Sequence, residues 1–223
     1  MIKVIFFDFD GVIVESVNIK TEAFAILFER EGSDIVKMVL QYHLNNTGVS
    51  RYEKIRYIYD KFLKRPIGDT EFHSLCDRFS SLVTENVINA SYVRGAKEFL
   101  EAYGATYDCY VVSATPHDEL RLIMERKKLT GYFKGIYGAP AKKTDAIKTV
   151  LANKGLTPIN AVYVGDAMSD LESAKANGVL FIARINGNKA IFDNVNCIKI
   201  DDLTQFKRII DNIEKDTWQA RIS

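Results

Sequence analysis

One short apolar run near the amino terminus, Ile2-Lys3-Val4-Ile5-Phe6, is followed by residues 15–89, in which every periodic segment is helical, and only then do further strand patterns begin. The run is rich in β-branched and aromatic residues and reads as a short buried strand. Segments 15–30, 34–44, 50–63 and 69–89 read as helices. Ala23, Phe24, Ala25, Ile26, Leu27 and Phe28 recur at mostly helical spacing before Gly32, Ile55, Ile58, Tyr59 and Phe62 share one side, and Pro66 and Gly68 separate the last two segments. A helical block of that length is too long for a simple crossover between neighbouring strands. The pattern therefore predicts an all-helical cap domain, 17–89, inserted into a core made of 1–16 and 90–223. In the core, strands at 107–112, 133–137, 161–164, 179–183 and 197–200 alternate with helices at 95–103, 118–128, 144–153, 171–177 and 203–213. Strands spaced by helices pair in parallel, with helices on both faces. The expected fold class is α/β, a doubly wound, Rossmann-like parallel sheet.

Four of these strands end in chemically useful residues, and in open α/β sheets ligands bind outside the carboxyl ends of the strands. The first runs into Asp8-Phe9-Asp10-Gly11-Val12. Residues two apart on a strand share a face, so Asp8 and Asp10 project together, and two adjacent carboxylates call for a cation or a proton. Gly11 lets the chain turn close to whatever is bound. The second strand ends at Ser113-Ala114-Thr115, ahead of Pro116 and a helix start, which offers a hydroxyl and backbone N–H groups to an anion. The third leads through Gly138-Ala139-Pro140 to Lys142 and Lys143, and the fourth ends at Gly165-Asp166, with Asp170 four residues on. The stretch 138–144 is not a nucleotide P-loop, because Lys142 stands where a glycine is required.

Composition sets the bounds on partners and location. Thirty basic and twenty-nine acidic residues leave a net charge of +1, with no global bias toward nucleic acid or an anionic membrane. No apolar run approaches the ~20 residues of a membrane span, and the N-terminal run reaches Asp8 too soon for a signal peptide. A cytoplasmic location is the expectation. Cys76, Cys109 and Cys197 are odd in number and far apart, and read as apolar fillers rather than a disulfide framework. Oligomeric state is open between monomer and homodimer.

The four strand-end motifs, in this order and with a helical block after the first, resemble the haloacid dehalogenase superfamily, specifically its phosphatases with a helical cap inserted after the first motif, the branch of phosphoglycolate phosphatases and β-phosphoglucomutases. The resemblance covers essentially the whole chain. It implies that Asp8 attacks phosphorus in line and carries an aspartyl-phosphate, and that Asp10 acts as acid and then base, its pKa held up by a neighbouring carboxylate and partial burial. It implies Mg²⁺ held by Asp8, the backbone carbonyl of Asp10 and Asp166, with Asp170 steadying that shell from outside. Ser113 and the Ala114 N–H would hold the phosphoryl oxygens, and a lysine would offset their charge. Lys142 and Lys143 lie ~100° apart on a helix and cannot both face the site; Lys143, two residues before Asp145 and four before Ile147, matches the family spacing better. Metal-free dehalogenases lack the second aspartate of the first motif, so the presence of Asp10 favours phosphate esters.

The cap is expected to choose the substrate and exclude water. Thr47-Gly48-Val49-Ser50-Arg51 resembles the cap loop of β-phosphoglucomutases, in which the arginine holds a distal phosphate; Arg51 is either such a ligand or a solvated arginine after a helix N-cap at Ser50. Lys20 is either near the site or on the surface. His43 and His73 read as structural or surface residues, His117 lies near Ser113, and Trp218 in the polar tail is left open. The expected activity is Mg²⁺-dependent hydrolysis of a small phosphorylated metabolite. The alternatives are β-phosphoglucomutase-like phosphoryl transfer, against which Asp166-Ala167 lacks the adjacent acidic residues usual in mutases, and a non-catalytic phosphate-binding module.

Overall fold

The computed structural model describes residues 1–185 and 189–222, the side chains of 189, 190 and 216–222 excepted, so Trp218 lies outside the described side chains. Its centre is β1 (Val4–Phe7), a strand buried along its whole length. β1 pairs in parallel with β2 (Asp108–Pro116) on one side and β4 (Ala161–Gly165) on the other. With β3 (Gly135–Ala139), β5 (Leu180–Arg184) and β6 (Ile198–Ile200) the sheet has the order β3-β2-β1-β4-β5-β6. A parallel sheet needs cover on both faces, and the side-chain alternation of β1 supplies it. Ile5 and Phe7 face one apolar cluster, in which the Phe7 ring meets Phe99 of α5 (Ala96–Tyr103) at 6.2 Å and Phe206 of α9 (Phe206–Ile222) at 5.8 Å. Val4 and Phe6 face the other, against residues of α7 (Lys143–Lys154) and α8 (Met168–Ala176).

Between β1 and β2 stand α1 (Val17–Leu27), α2 (Ser33–Asn45), α3 (Arg51–Tyr57), which passes into a π-helical turn at Ile58–Leu63, and α4 (Asp69–Asn89). α1 packs on α2 and α4, with Phe24 against Phe79 at 4.6 Å. α4 also rests on α6 (His117–Arg126) of the α/β core. The two chain segments that enter and leave this inserted block run side by side. The Glu15 N–H donates to Ser91 O at 3.0 Å, the Val93 N–H to Ile13 O at 3.0 Å, and Val14 and Tyr92 form an antiparallel bridge.

Two boundaries differ from the sequence expectation for local reasons. β2 continues through Ser113 to Pro116, but its register with β3 shifts between Val112 and Pro116, so Ser113-Ala114-Thr115 lies in a bulged strand end rather than beyond the strand. α9 begins at Phe206 and runs on to Ile222, where the weaker apolar pattern of the tail had suggested an end at 213. No helix among the described residues is long and apolar enough to cross a membrane.

Candidate active site

Chain order reverses between β1 and β4: β2 and β3 lie to one side of β1, β4 to β6 to the other. Crevices form at such a point. Asp8 leaves β1 with its N–H bonded to Val164 O at 2.9 Å, so the last turn of β4 fixes its position beside Asp166. The Asp8 Oδ1 accepts the Phe9 N–H at 2.7 Å, and Oδ2 lies 3.0 Å from Lys143 Nζ. Lys143 also reaches Asp170 Oδ1 at 2.5 Å. Its neighbour Lys142 is exposed at the helix N-cap, so of the two lysines only Lys143 meets these carboxylates. Asp170 is fully buried and its oxygens are taken: besides Lys143, it accepts the Tyr163 hydroxyl at 2.7 Å and the Ala167 N–H at 3.1 Å.

Two glycines make this crowding possible. Gly11 has φ +74°, and a Cβ there would lie 2.1 Å from Asp166 Oδ2. A Cβ on Gly165 would lie 2.6 Å from the Asp170 carboxylate. Any larger residue at either place displaces an acid.

Oxygens of Asp8, Asp166 and Asp170 lie within 4.8 Å of one another. Burial, opposed by Lys143 and reinforced by Asp170 and Asp10, pushes Asp8 up to about 7. Burial followed by Asp8 and Asp170 holds Asp166 well above the usual carboxylate range. Burial works to lower Lys143, but Asp170 and Asp8 outweigh it and keep its pKa above the ordinary lysine value. Three buried carboxylates against one ammonium leave negative charge uncompensated, and the donors are all hard oxygens. That set fits a hard divalent cation such as Mg²⁺.

The Asp10 side chain is absent from that group of oxygens. Its Oδ1 accepts Ser16 Oγ at 2.6 Å, and its Oδ2 accepts Thr115 Oγ1 at 2.8 Å and the Lys20 ammonium. Lys20 also donates to Thr115 Oγ1 at 2.7 Å, so it belongs to the site and not to the surface. Burial raises the Asp10 pKa, yet Lys20, then Ser16 and Thr115, bring it below the ordinary value. This corrects the expectation of an elevated pKa: the Lys20 cation and the two hydroxyls beside Asp10 outweigh its burial. Ser113 Oγ accepts the Thr115 N–H at 3.1 Å, which holds the bulge closed. Ser113, Ala114, Asp8, Asp10 and Asp166 line one cavity of about 30 Å³, roofed by residues of the helical block.

A sequence profile of the haloacid dehalogenase-like hydrolases matches residues 5–184. The chain belongs to this family. It is 29% identical over 139 residues to a probable phosphoglycolate phosphatase of Pseudomonas putida, a match covering 49% of this chain and 55% of that one. The chain thus spans about half the length of the first curated relatives it matches. Among solved structures, a predicted phosphoglycolate phosphatase from Haemophilus somnus 129pt superposes with TM-score 0.74 at 21% identity over 94% of this chain and 98% of that one. A β-phosphoglucomutase from Clostridium difficile superposes with TM-score 0.78 at 16% identity over 97% and 99%. These two likenesses show the shared fold.

On the cap side, the arrangement in this haloacid dehalogenase-like hydrolase departs from the sequence expectation. Ser50 caps α3 by accepting the Glu53 N–H at 3.3 Å, but Arg51 is not solvated: it is buried in the cavity wall and already paired within the protein. Its guanidinium grips Glu119 of α6 at 2.5 and 2.9 Å, donates to Ser80 of α4 at 2.6 Å, and lies 4.4 Å from the centre of the Phe79 ring. Arg51 ties the cap to the core. Lys54 and His43, which no motif had marked, stand in the cavity wall beside it, with Lys54 Nζ 2.9 Å from His43 Nδ1. Their only sequence signal was position: Lys54 follows Arg51 by three residues, on nearly the same helical face. Arg184 was also missed. It donates to Gly11 O at 3.2 Å and to Glu15 at 2.6 Å, bracing the turn after Asp10.

Burial, with Lys54 and Lys20 adding, pushes His43 from 6.5 to about 2. The folded state refuses a proton that the unfolded chain takes up below pH 6.5. His43 therefore contributes fully to stability above pH 6.5, and the contribution is lost as the pH falls from there toward 2. Thermal melts between pH 7.5 and 4.5 are expected to fall more steeply in wild type than in His43→Gln; parallel curves would contradict this.

Proposed function

We propose that this protein is a Mg²⁺-dependent phosphomonoester hydrolase acting on a small phosphorylated metabolite, with Asp8 as nucleophile. The observation that carries the reading is the convergence of Asp8, Lys143, Asp166 and Asp170 at one strand end, with Asp10 held apart on its own partners. The boundaries 1–16 with 90–223 for the catalytic core and 17–89 for the cap belong to the same reading. They are supported by the paired connecting segments at Val14 and Tyr92.

In this account Asp8 Oδ attacks the phosphorus, the bond to the leaving oxygen breaks, and an aspartyl-phosphate forms. Asp10 gives its proton to the leaving oxygen, then takes one from the water that attacks the intermediate; inorganic phosphate leaves and Asp8 is restored. Lys20 and Thr115 keep Asp10 ionised before substrate arrives, the state the second half-reaction needs. A phosphate dianion entering beside it raises the Asp10 pKa and offers Lys20 a competing anion, so Asp10 takes up a proton from solvent as the substrate binds and holds it for the first half-reaction. Ser113 and the Ala114 N–H orient the phosphoryl oxygens, and Lys143 offsets their charge while fixing Asp8. Asp8, Asp166 and the backbone carbonyl of Asp10 would hold Mg²⁺, with Asp170, its oxygens already engaged, outside them. When bound, the ion supplies charge neutralisation for the transferring phosphoryl group.

Asp166 is followed by Ala167 rather than by a second acid, which favours hydrolysis over the mutase alternative. Purified protein is expected to release phosphate from a panel of small phosphomonoesters with Mg²⁺ and to stop when EDTA is added. Absence of release across the panel, or undiminished release in EDTA, would refute the reading. Asp10→Asn is expected to lower kcat by about 10²- to 10⁴-fold while Mg²⁺ affinity by calorimetry stays within a few-fold. A large loss of Mg²⁺ binding would place the Asp10 side chain on the metal instead.

A further inference from the structure

Arg184 ends β5, which β4 separates from β1, yet it reaches both ends of the loop that follows Asp10. Its Nη1 donates to Gly11 O and to Glu15 Oε2, each at 3.2 Å, its Nη2 to Glu15 Oε1 at 2.6 Å, and its Nε to Asp201 O at 3.1 Å. The Arg184 side chain is 8% exposed and that of Glu15 39%. An ion pair with one partner that open to water adds little to stability, so stability alone does not explain a buried arginine here. Geometry does, because a planar guanidinium fixes two carboxylate oxygens and a carbonyl at set angles. Both grips bear on Asp10. Gly11 is its direct neighbour, in a turn at φ +74° that the Gly11 N–H closes by donating to Val14 O at 2.8 Å. Glu15 leads into Ser16 and α1, from which Ser16 and Lys20 bond the two Asp10 oxygens. The Glu15 N–H also bonds Ser91 O, where the inserted helical block joins the sheet.

We propose that Arg184 is a positioning residue for Asp10: by clamping Gly11 and Glu15 it fixes the loop between them, and so sets where the Asp10 carboxyl meets the leaving oxygen. The inference rests on the hydrolase reading and adds to it a residue that no motif marks. Arg184 does not line the cavity, so it acts through Asp10 and takes no part in bond making. A proton donor works only within hydrogen-bond reach of the atom it serves, and a misplacement of about 1 Å can cost roughly 10²-fold. Ser16 and Lys20 follow Glu15 in the chain, so the partners of Asp10 shift when Glu15 does, and their bonds to Asp10 do not restore its place.

The test measures phosphate release with Mg²⁺ from ethyl phosphate and from acetyl phosphate, which are nearly equal in size but differ in what they ask of Asp10. Acetate leaves without a proton, whereas ethoxide must take one. The ratio kcat/KM reports the steps up to phosphoryl transfer, so hydrolysis of the intermediate, common to both, does not enter. In Arg184→Met, kcat/KM for ethyl phosphate is expected to fall by about tenfold to a hundredfold more than that for acetyl phosphate. Glu15→Ala, which removes a half-exposed partner and leaves Arg184 its two carbonyls, should show the same selective loss at a smaller size, and it decides the question if Arg184→Met does not fold. Equal loss on both substrates, or no loss, in the variant that decides overturns the positioning role and leaves the hydrolase reading standing, because a loosened site or weaker Mg²⁺ binding lowers both alike. Wild-type release from acetyl phosphate alone shows no acid at work on an alkoxide, and release from ethyl phosphate alone shows a rate set by something other than proton donation; either overturns the positioning role as well. No release from either by wild type overturns the positioning role and the hydrolase reading together.

Discussion

Asp8→Asn is expected to reduce phosphate release by at least about 10⁴-fold, to the background of the assay. An amide oxygen is a poor nucleophile toward phosphorus, and of the two nearby carboxylates Asp170 is locked by Lys143, Tyr163 and the Ala167 N–H, while Asp166 is the proposed metal ligand. Loss of activity alone would not distinguish a missing nucleophile from a collapsed site, so stability is the control. Asp8 is a buried acid whose pKa is raised to about 7, chiefly by burial. Removing its charge relieves repulsion with Asp166 and Asp170, so the melting temperature in EDTA should hold or rise. Substantial turnover in Asp8→Asn would remove Asp8 from the chemistry.

The second large effect is structural. Arg51→Ala is expected to destabilise the protein by about 3–5 kcal/mol, because it leaves Glu119 buried without its cation and strips Ser80 of a partner. The Arg51 and Glu119 side chains are only 4% and 9% exposed, so solvent offers little compensation. For a chain of this size the melting temperature should fall by about 10 °C. Glu119→Gln should cost less than Arg51→Ala, since the guanidinium keeps the Phe79 ring and Ser80. If Arg51 were a substrate ligand, as its cap-loop setting suggests, the melting temperature would hold and KM alone would rise. The two outcomes are cleanly separated by a melt without substrate.

How far the sequence reached depended on whether a feature was local. The alternation of strand and helix after residue 90 follows from period and punctuation, and the six-stranded parallel sheet agrees with it. Asp8, Asp166 and Lys143 each sit where a strand ends or a helix begins, places that turn chemistry marks. What escaped were contacts between segments distant in the chain. Thr115 bonds Asp10 across 105 positions, and Arg51 meets Glu119 across 68. Neither distance leaves a periodic trace. The Asp10 pKa was misjudged for the same reason: Asp8 is a visible neighbour, whereas the reach of Lys20 depends on how α1 leaves the Asp10 turn. His43 and Lys54 show the complementary limit, because each is unremarkable on its helix and acquires meaning only from the cavity they share.

The central claim is covalent capture of the phosphoryl group by Asp8, and trapping tests it most directly. Wild-type protein mixed with Mg²⁺ and a ³²P-labelled substrate, quenched in acid within the first turnover and digested, should carry label on the peptide containing Asp8, labile to hydroxylamine as an acyl phosphate is. Asp8→Asn should carry none. Turnover in wild type with no labelled Asp8 peptide, or with label on another residue, would contradict the account.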